Sequence, residues 1–238
     1  MELSAKQEQF NLAMELYNSK FSYRILGKSV SIIIISLQLY LLLLIWPQSI
    51  GITWQVVSFV TAYLLTDFIN GLVHMYMDNN DSYDSLAGPL IANFHLHHKV
   101  PLYKKNSLLM VYFTESGSKL WLVVYLLAVF FIQNRFEINS TALYILVYIG
   151  ILSSIAEVSH YLCHTSRSSL ARFLANCRLL LPKRHHAGHH LHDNNNYAFL
   201  NGFSDPLLNR IAAAFCKGYK NNTDLHFAGY AGGASEER

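Results

Sequence analysis

The sequence predicts an all-α integral membrane protein with about four transmembrane helices and a histidine-rich helical cap on the cytoplasmic side. Only 14% of its 238 residues are charged and 52% are hydrophobic, whereas about a quarter of a soluble domain is charged. Long apolar runs are separated by short polar segments, and most Lys and Arg residues flank alternate ends of these runs. Together these observations indicate a chain that crosses a bilayer several times.

Four apolar segments are the candidate spans. Ser29 to Trp46 is almost continuously apolar and is followed by Pro47, and Ile52 to about Tyr76 forms the second run. Leu120 to Ile132 needs its flanks to approach the roughly 20 residues that cross the hydrocarbon core. Thr141 to about Leu162 is the fourth run. The second and fourth runs end in polar residues, which are costly inside a bilayer and so indicate a protein interior or an aqueous cavity.

The remaining segments lie before and after these runs. Residues 1–28 are predicted to be an amphipathic or flexible lead, and the membrane domain is predicted to cover residues 29–216. Thr165 to Leu181 has the pattern of an interfacial helix. Residues 217–238 are rich in Gly, Asn and charge, so we expect a disordered tail there.

The distribution of basic residues predicts the orientation. Three precede the first run, four lie between the second and third, and five follow the fourth: Lys20, Arg24, Lys28, Lys99, Lys104, Lys105, Lys119, Arg167, Arg172, Arg178, Lys183 and Arg184. The opposite loops carry only Arg135 and Glu137. The positive-inside rule therefore places both termini and every histidine cluster on the cytoplasmic side.

Composition argues against several other classes. A formal net charge of +3 gives no reason to expect a nucleic-acid partner. Cys163, Cys177 and Cys216 have no CxxC spacing, so they form neither a zinc ribbon nor a disulfide framework. The first 25 residues contain no apolar run, and the first span is therefore predicted to be a retained anchor instead of a cleaved signal peptide.

The chain contains twelve histidines, and most of them fall in four groups with chemically related neighbours. These groups are Asp67, Asn70, His74 and Asp78; His95, His97 and His98; Glu157, His160 and His164; and His185, His186, His189, His190 and His192. Intervals of three and four residues put side chains on one helical face, where two imidazoles can reach a single ion. The clusters therefore predict a metal site.

The number of ligands limits the choice of metal site. Eight histidines are the preferred ligands, with His185 as a ninth: His74, His97, His98, His160, His164, His186, His189 and His190. A zinc ion is saturated by four ligands, so one zinc would leave half of them unused. Two five- or six-coordinate ions would use the whole set. Imidazole binds iron, copper and zinc, so the count alone leaves the metal open.

This constellation resembles the histidine-rich membrane diiron desaturases and hydroxylases, and within them the lipid desaturase family of plasmanylethanolamine desaturase. The resemblance covers roughly Thr66 to Phe215 and rests on the stretches DFINGLVHMYMD, FHLHHKVP, FTESGSK, HYLCH and LPKRHHAGHH followed by YAFLNGFSDPLL. Met75 stands where the family usually has tryptophan, and residues 191–196 lack a proline often found there.

The resemblance implies an O2-dependent oxidoreductase that desaturates a membrane phospholipid. It implies two iron ions held by the preferred histidines, with His185 as an additional ligand, and an external electron donor such as cytochrome b5 or a ferredoxin. For a plasmanyl substrate the product is a vinyl ether, as in plasmalogen biosynthesis. Seven polar residues are candidates for supporting the ligands or contacting the substrate: Asp67, Asn70, Asp78, Glu115, Glu157, Asn201 and Asp205. His95, His192 and His226 are expected to be surface or supporting residues.

Three alternatives remain at this stage. An acyl-lipid desaturase or a hydroxylase would use the same diiron ligands. A zinc-dependent membrane hydrolase would need only three ligands and a nearby acid. A metal-binding sensor or transporter is the alternative from a non-enzyme class, and it would be expected to place its ligands at mid-membrane depth.

Overall fold

The computed structural model describes residues 2–99, 107–114 and 119–230. Within these ranges the chain is helical and contains no strand. The helices are α1 (Leu3–Ser19), α2 (Phe21–Ile45), α3 (Gly51–Asn79), α4 (Gly88–Lys99), α5 (Leu108–Thr114), α6 (Leu120–Arg135), α7 (Ser140–Thr165), α8 (Ser169–Asn176), α9 (Lys183–Leu191), α10 (Asp205–Phe215) and α11 (Thr223–His226). The all-α prediction is confirmed for the described residues.

Three helices are long and apolar enough to cross a membrane. They are α2, α3 and α7, with 25, 29 and 26 residues, or about 38 to 44 Å of helix at 1.5 Å per residue. Three of the four predicted spans are thus confirmed as helices of spanning length, although α2 already begins at Phe21. Helix α6 is apolar but has only 16 residues, about 24 Å. It is therefore shorter than a typical transmembrane helix.

The long helices pack around α7, which contacts α2, α3, α5 and α6. A Cβ atom at Gly150 of α7 would lie 2.6 Å from Leu126 Cδ2, so the absent side chain allows α6 to approach closely. Near this point Gln38 Nε2 donates to Gly150 O at 2.8 Å and to Ser154 Oγ at 2.9 Å. These polar groups therefore find partners inside the protein, as groups at membrane depth must.

Many large apolar side chains on the outer faces of these helices are exposed. Examples are Leu43 on α2, Trp54 on α3 and Val124 and Phe131 on α6. Contiguous exposed apolar surface is unusual in a soluble monomer. Together with the length of α2, α3 and α7, it identifies a membrane protein.

The shorter helices form a cap at the end of the bundle where α3 and α7 terminate. Helices α4 and α10 pack on α3, and α9 contacts α7. At Gly71 of α3 a Cβ atom would lie 2.3 Å from Leu208 Cδ1 of α10, so the glycine permits this close packing. The cap therefore lies directly over the polar ends of the second and fourth apolar runs.

Asp67 anchors the loop between α9 and α10 to α3. Its Oδ1 accepts backbone N–H groups from Leu200, Asn201 and Gly202 at 2.9–3.2 Å. Its Oδ2 accepts the N–H and the hydroxyl of Ser204 at 3.0 and 2.6 Å. Five hydrogen bonds to one buried carboxylate fix the path of this loop, since a buried charge is tolerated only when it is fully hydrogen-bonded.

Both terminal segments that the structure describes are packed. Helix α1 buries Phe10 and Met14 against α4 and the C-terminal segment. Residues 217–230, expected to be disordered, are packed: Tyr219 is fully buried, and Phe227 contacts the Phe10 cluster. Their composition is polar, but a few aromatic anchors bury enough surface to hold them. Residues 231–238 of the expected tail lie outside the described residues.

Candidate metal centre

The four histidine clusters of the sequence meet in the cap. The last turns of α3 and α7, the C-terminal end of α4 and the whole of α9 supply the side chains. They form two adjoining sets. The first histidine group is His74, Asp78, His97, His98 and His189, whose ligand atoms all lie within 4.8 Å of one another. The second histidine group contains His160, His164 and His186, which meet the same distance limit. It also includes the neighbouring His190.

Hydrogen bonds at Nδ1 determine the tautomer of three rings in the first histidine group. Their Nδ1 atoms lie 2.6–2.9 Å from backbone carbonyl oxygens: His74 from Tyr197, His97 from Phe94 and His189 from Asn195. A carbonyl oxygen can only accept, so Nδ1 carries the proton. In each neutral ring Nε2 therefore presents a lone pair, as a metal ligand must.

These lone pairs point at each other and at Asp78. His74 Nε2 lies 3.2 Å from Asp78 Oδ2, and His189 Nε2 lies 3.4 Å from the same oxygen. His98 Nε2 is 3.0 Å from His189 Nε2 and 3.4 Å from Asp78 Oδ1. No hydrogen-bond donor among the described residues reaches His74 Nε2, His97 Nε2 or either Asp78 oxygen. Buried acceptors facing each other are unfavourable unless a cation lies between them, so this group fits a metal ion.

The second histidine group has the dimensions of a coordination site. His160 Nε2 lies 2.8 Å from His186 Nε2 and 3.2 Å from His164 Nε2, while His190 Nε2 lies 3.0 Å from His186 Nε2. Nitrogens bound to one ion at about 2.1 Å and at right angles would be about 3.0 Å apart. Unlike the rings of the first group, His186 and His190 have no hydrogen-bond partner for Nδ1 among the described residues.

The two groups form one continuous centre. Their closest rings have centroids 5.2 Å apart for His98 and His190, 5.3 Å for His186 and His189, and 5.4 Å for His189 and His190. The eight preferred histidines of the sequence therefore lie together. Two ions held by these groups would be neighbours, a spacing that suits reactions at a metal pair.

Burial keeps five of the candidate ligand histidines neutral. Desolvation, reinforced by neighbouring imidazoles, holds the pKa values of His97, His98, His186 and His189 well below the usual 6.5. Desolvation, helped by His164 and Lys220, lowers the pKa of His190 to about 4. At neutral pH these rings are therefore unprotonated and able to bind a metal.

His185 lies outside both groups. Its Nε2 is 2.6 Å from Asp205 Oδ2, and Asp205 Oδ1 accepts the backbone N–H of Ala198 at 2.9 Å. This pair links α9 to the start of α10. The proposed ninth ligand is thus directed away from the eight other histidines, and Asp205 supports the fold of the cap instead of contacting a ligand.

The three histidines expected to be supporting residues are also outside the centre. His95 Nε2 donates to Met77 O at 2.8 Å, which leaves its Nδ1 to accept from the Tyr83 hydroxyl at 2.9 Å. His226 Nδ1 lies 3.0 Å from the same hydroxyl. His192 is exposed. A hydrogen-bonded chain through Tyr83 therefore accounts for His95 and His226.

Glu157 and Asn70 belong to a buried polar cluster around Lys119. The Lys119 ammonium lies 3.1 Å from Glu157 Oε1 and 3.1 Å from Asn70 Oδ1, and it donates to Ser153 O at 2.5 Å. Oε1 of Glu157 is thus paired with a cation. Asn201 Oδ1 accepts the N–H of Phe203 at 2.8 Å. The predicted candidate Glu115 lies outside the described residues.

Three residues near the centre were not predicted from the sequence. Asp224 Oδ1 accepts the Nδ1 proton of His98 at 2.8 Å. The Tyr219 hydroxyl donates to the carbonyl of His189 at 2.6 Å. Lys119 is the cation that binds Glu157 and Asn70 in the polar cluster. Asp224 and Tyr219 were in the segment expected to be disordered, and their spacing from the histidines in sequence carries no periodic signal.

A cavity of about 420 Å³ runs beside the first histidine group. Asn80, just after α3, and Ala87, just before α4, line one end of the cavity, and the deeper end is lined by Asn70, Lys119, Trp121 and Glu157. The lining between them is mostly apolar: Leu72, Val73, Met77, Leu90, Ile91, Phe94 and Phe199, with His74 at the edge. This mostly apolar lining suits an aliphatic chain.

Fold and centre together define a class: a helical membrane protein with a buried, eight-histidine site suited to metal ions. A family model described as the lipid desaturase domain matches residues 63–215, a range that contains all eight histidines. The chain belongs to this family. The family acts on membrane lipids and typically uses iron, so the protein is assigned as a lipid desaturase and an oxidoreductase. No curated protein and no solved structure matches the chain with significance.

Proposed function

We propose that the protein is an O2-dependent membrane lipid desaturase with a histidine-ligated diiron centre. The observation that carries this proposal is the arrangement of eight imidazoles in two adjoining groups, each with its lone pairs directed inward. A single zinc ion would leave about half of these ligands unused.

The residues divide naturally between two ions. His74, His97, His98 and His189 would hold the first, with Asp78 supplying a carboxylate oxygen and part of the compensating charge. His160, His164, His186 and His190 would hold the second. Asp78 is an addition to the ligand set predicted from the sequence, and an oxygen ligand beside imidazoles is common for iron.

When bound, an iron pair supplies oxidation by O2: two hydrogens leave adjacent carbons, a C=C bond forms, and O2 with two electrons and two protons becomes two waters. The protein must present those two carbons and exclude water. Phe199 is placed for this task, because its ring stacks on His160 at 4.2 Å and lies 4.3 Å from His74. It also lines the cavity, as His74 does, so it lies where the chain-binding space meets both groups.

We propose that the substrate is a phospholipid with an ether-linked alkyl chain and that the product is a vinyl ether. The chain would enter the cavity from the end of α3. From Asn80 to Asn70 is ten residues, about 15 Å along the helix axis, and His74 lies between them. A lipid with its headgroup at Asn80 would therefore bring the first carbons of its chain near His74 and extend the remainder toward Trp121.

We also propose a four-span topology with the metal centre on the cytoplasmic side. Helix α6 would be the third span, with α5 packed on α2 and α7 in the same groove of the bundle. The Tyr112 hydroxyl donates to Gln38 Oε1 at 3.1 Å, which joins α5 to α2. The distribution of Lys and Arg supports the orientation, and a cytoplasmic centre is accessible to an electron donor such as cytochrome b5 or a ferredoxin.

Two alternatives make different predictions. An acyl-lipid desaturase or hydroxylase would use the same centre, and the product alone separates it from the proposal. A metal sensor or transporter is disfavoured because both groups lie at the ends of the long helices, whereas transported ions usually bind near the bilayer midplane.

Lipid analysis tests the function. The chain is expressed with a compatible electron donor, and alkyl-ether and acyl lipids are profiled with and without O2. We expect O2-dependent vinyl ether lipids two hydrogens lighter than their precursors, and their loss in His97→Ala. His192→Ala is the matched control, since this histidine is exposed and outside both groups. Unchanged lipid turnover in His97→Ala, or the absence of any O2-dependent product, would contradict the proposal.

A further inference from the structure

The segment Lys217–Tyr230 follows the matched family domain, which ends at residue 215, yet it contacts the first histidine group. We propose that this segment completes the metal centre and that Asp224 is the residue that positions His98 for metal binding. The inference rests on the proposed function, because it assigns Asp224 a role toward one of the two metal ions.

The contact between Asp224 and His98 has the geometry of a supported metal ligand. Asp224 Oδ1 accepts the Nδ1 proton of His98 at 2.8 Å, and the two side chains are 13% and 2% exposed. A carboxylate on Nδ1 holds the tautomer in which Nε2 is free to bind a metal and makes that nitrogen a stronger donor. His98 is the one histidine of the first group whose Nδ1 partner is charged, because the other three donate to backbone carbonyls.

Asp224 is itself held in place. Its second carboxylate oxygen lies 2.9 Å from Lys220 Nζ, one helical turn earlier. With one oxygen on Lys220 and the other on His98, the carboxylate has little freedom to rotate. The orientation of the His98 ring is therefore set from the C-terminal segment, while the backbone of α4 sets only the position of its Cα atom.

Two neighbours of Asp224 bind the backbone of other ligand-bearing elements. Thr223 Oγ1 donates to the carbonyl of Asp78 at 2.6 Å. The fully buried Tyr219 hydroxyl lies 2.6 Å from His189 O and 2.7 Å from His192 O. The same short segment thus contacts the ends of α3, α4 and α9, and all three supply ligands to the first histidine group.

The competing explanation is that the segment only stabilises the fold. It is also tethered far from the histidines: Gln7 Nε2 donates to Leu225 O at 3.0 Å. Removing this tether loosens the same segment without touching a histidine or its partner. Gln7→Ala is therefore the matched control for Asp224→Ala.

The experiment measures metal affinity independently of turnover. Full-length protein is purified in detergent, stripped with a chelator and titrated anaerobically with Fe2+, and thermal unfolding is recorded with and without metal. We expect Asp224→Ala to bind one of the two ions about 10- to 100-fold more weakly, the usual effect of losing a residue that supports a ligand. The other ion should bind as in the wild type, and the metal-free protein should unfold at nearly the wild-type temperature.

Two further variants separate positioning from stability. Asp224→Asn keeps an oxygen that can accept the His98 proton, so it should recover most of the lost affinity, and Gln7→Ala should bind both ions normally. Wild-type affinity in Asp224→Ala, or equal weakening in Gln7→Ala, would overturn the inference while leaving the proposed function intact. A wild-type protein that binds no iron would overturn the proposed function and this inference with it.

Discussion

Asp78 follows His74 by one turn of α3, and its Oδ2 lies 3.2 Å from His74 Nε2 with both side chains fully buried. The His74 proton is on Nδ1, where it is donated to Tyr197 O. The Asp78 carboxyl group therefore faces a lone pair in a fully buried site, an arrangement that a bound cation stabilises.

Replacing Asp78 with Asn should affect the metal-bound and the metal-free protein differently. The negative charge that offsets a bound cation is lost, so Fe2+ affinity at the first histidine group should fall. In the metal-free site the new amide can donate a hydrogen bond to His74 Nε2, so the metal-free protein should be at least as stable as the wild type. Thermal unfolding with and without Fe2+ checks this, because metal binding to the folded state raises the melting temperature. An unchanged metal-induced rise in Asp78→Asn would argue against a role for Asp78 at the metal.

Acid should destabilise the metal-free protein and release metal from the loaded one. The pKa of His190 is lowered to about 4, and burial holds the pKa values of His97, His98, His186 and His189 well below the usual 6.5. The unfolded chain, with pKa near 6.5, binds more protons than the folded chain between about pH 6.5 and pH 4. Stability is therefore full above pH 6.5 and falls as the pH decreases through this window, by about 1.4 kcal/mol for each unit of pKa depression.

Unfolding of the chelator-stripped protein at pH 7.5, 6 and 5 measures this dependence. His190→Gln removes one of the depressed groups, so its stability should vary less with pH, while His192→Gln, at an exposed position, should follow the wild type. A flat profile for the wild type would contradict neutral, buried imidazoles.

The size of the cavity should limit the length of the lipid chain that the protein accepts. Leu120 lines its deep end and is half-exposed, so Leu120→Trp should shorten the space for an aliphatic chain. Turnover of long-chain lipids should fall more than turnover of short-chain lipids, with iron content unchanged. Val124→Trp is the control, because Val124 lies one turn later on α6, is exposed, and does not line the cavity. Equal effects of the two variants on all chain lengths would exclude this cavity as the chain site.

Lys119 and Glu157 form a buried ion pair at 3.1 Å, with side chains 5% and 10% exposed. Removing one partner should leave an uncompensated charge and cost about 3–5 kcal/mol. Lys119→Met and Glu157→Gln should each lower the melting temperature strongly, and the double variant should recover much of the loss. Additive losses in the double variant would show that the two residues act independently.

The bundle was predictable because its signals are long and local. Apolar runs of spanning length gave α2, α3 and α7, and helical spacing brought His160 with His164 and His186 with His190 onto shared faces. The meeting of the clusters was predictable only from ligand counting and topology. Helix α6 was harder to predict as a membrane span, because its 16 residues are fewer than the number from which composition identifies a span.

The sequence could not reveal contacts that join distant segments. His185 is adjacent to His186, but one residue rotates a helical side chain by about 100°, and this rotation turns His185 toward Asp205. The C-terminal segment has the composition of a disordered tail, yet Tyr219 and Phe227 are buried. Asp224 carries no motif and becomes identifiable only because the fold brings it to His98.

Iron stoichiometry tests the central claim most directly. Chelator-stripped wild-type protein is loaded anaerobically with Fe2+, and bound iron is counted alongside His98→Ala, His164→Ala and His192→Ala. We predict about two ions per chain for the wild type and His192→Ala, and about one for each of the other two variants, because each of them disables one group of a two-metal site. A wild-type value near one or zero, or retention of both ions in His98→Ala and His164→Ala, would contradict the account.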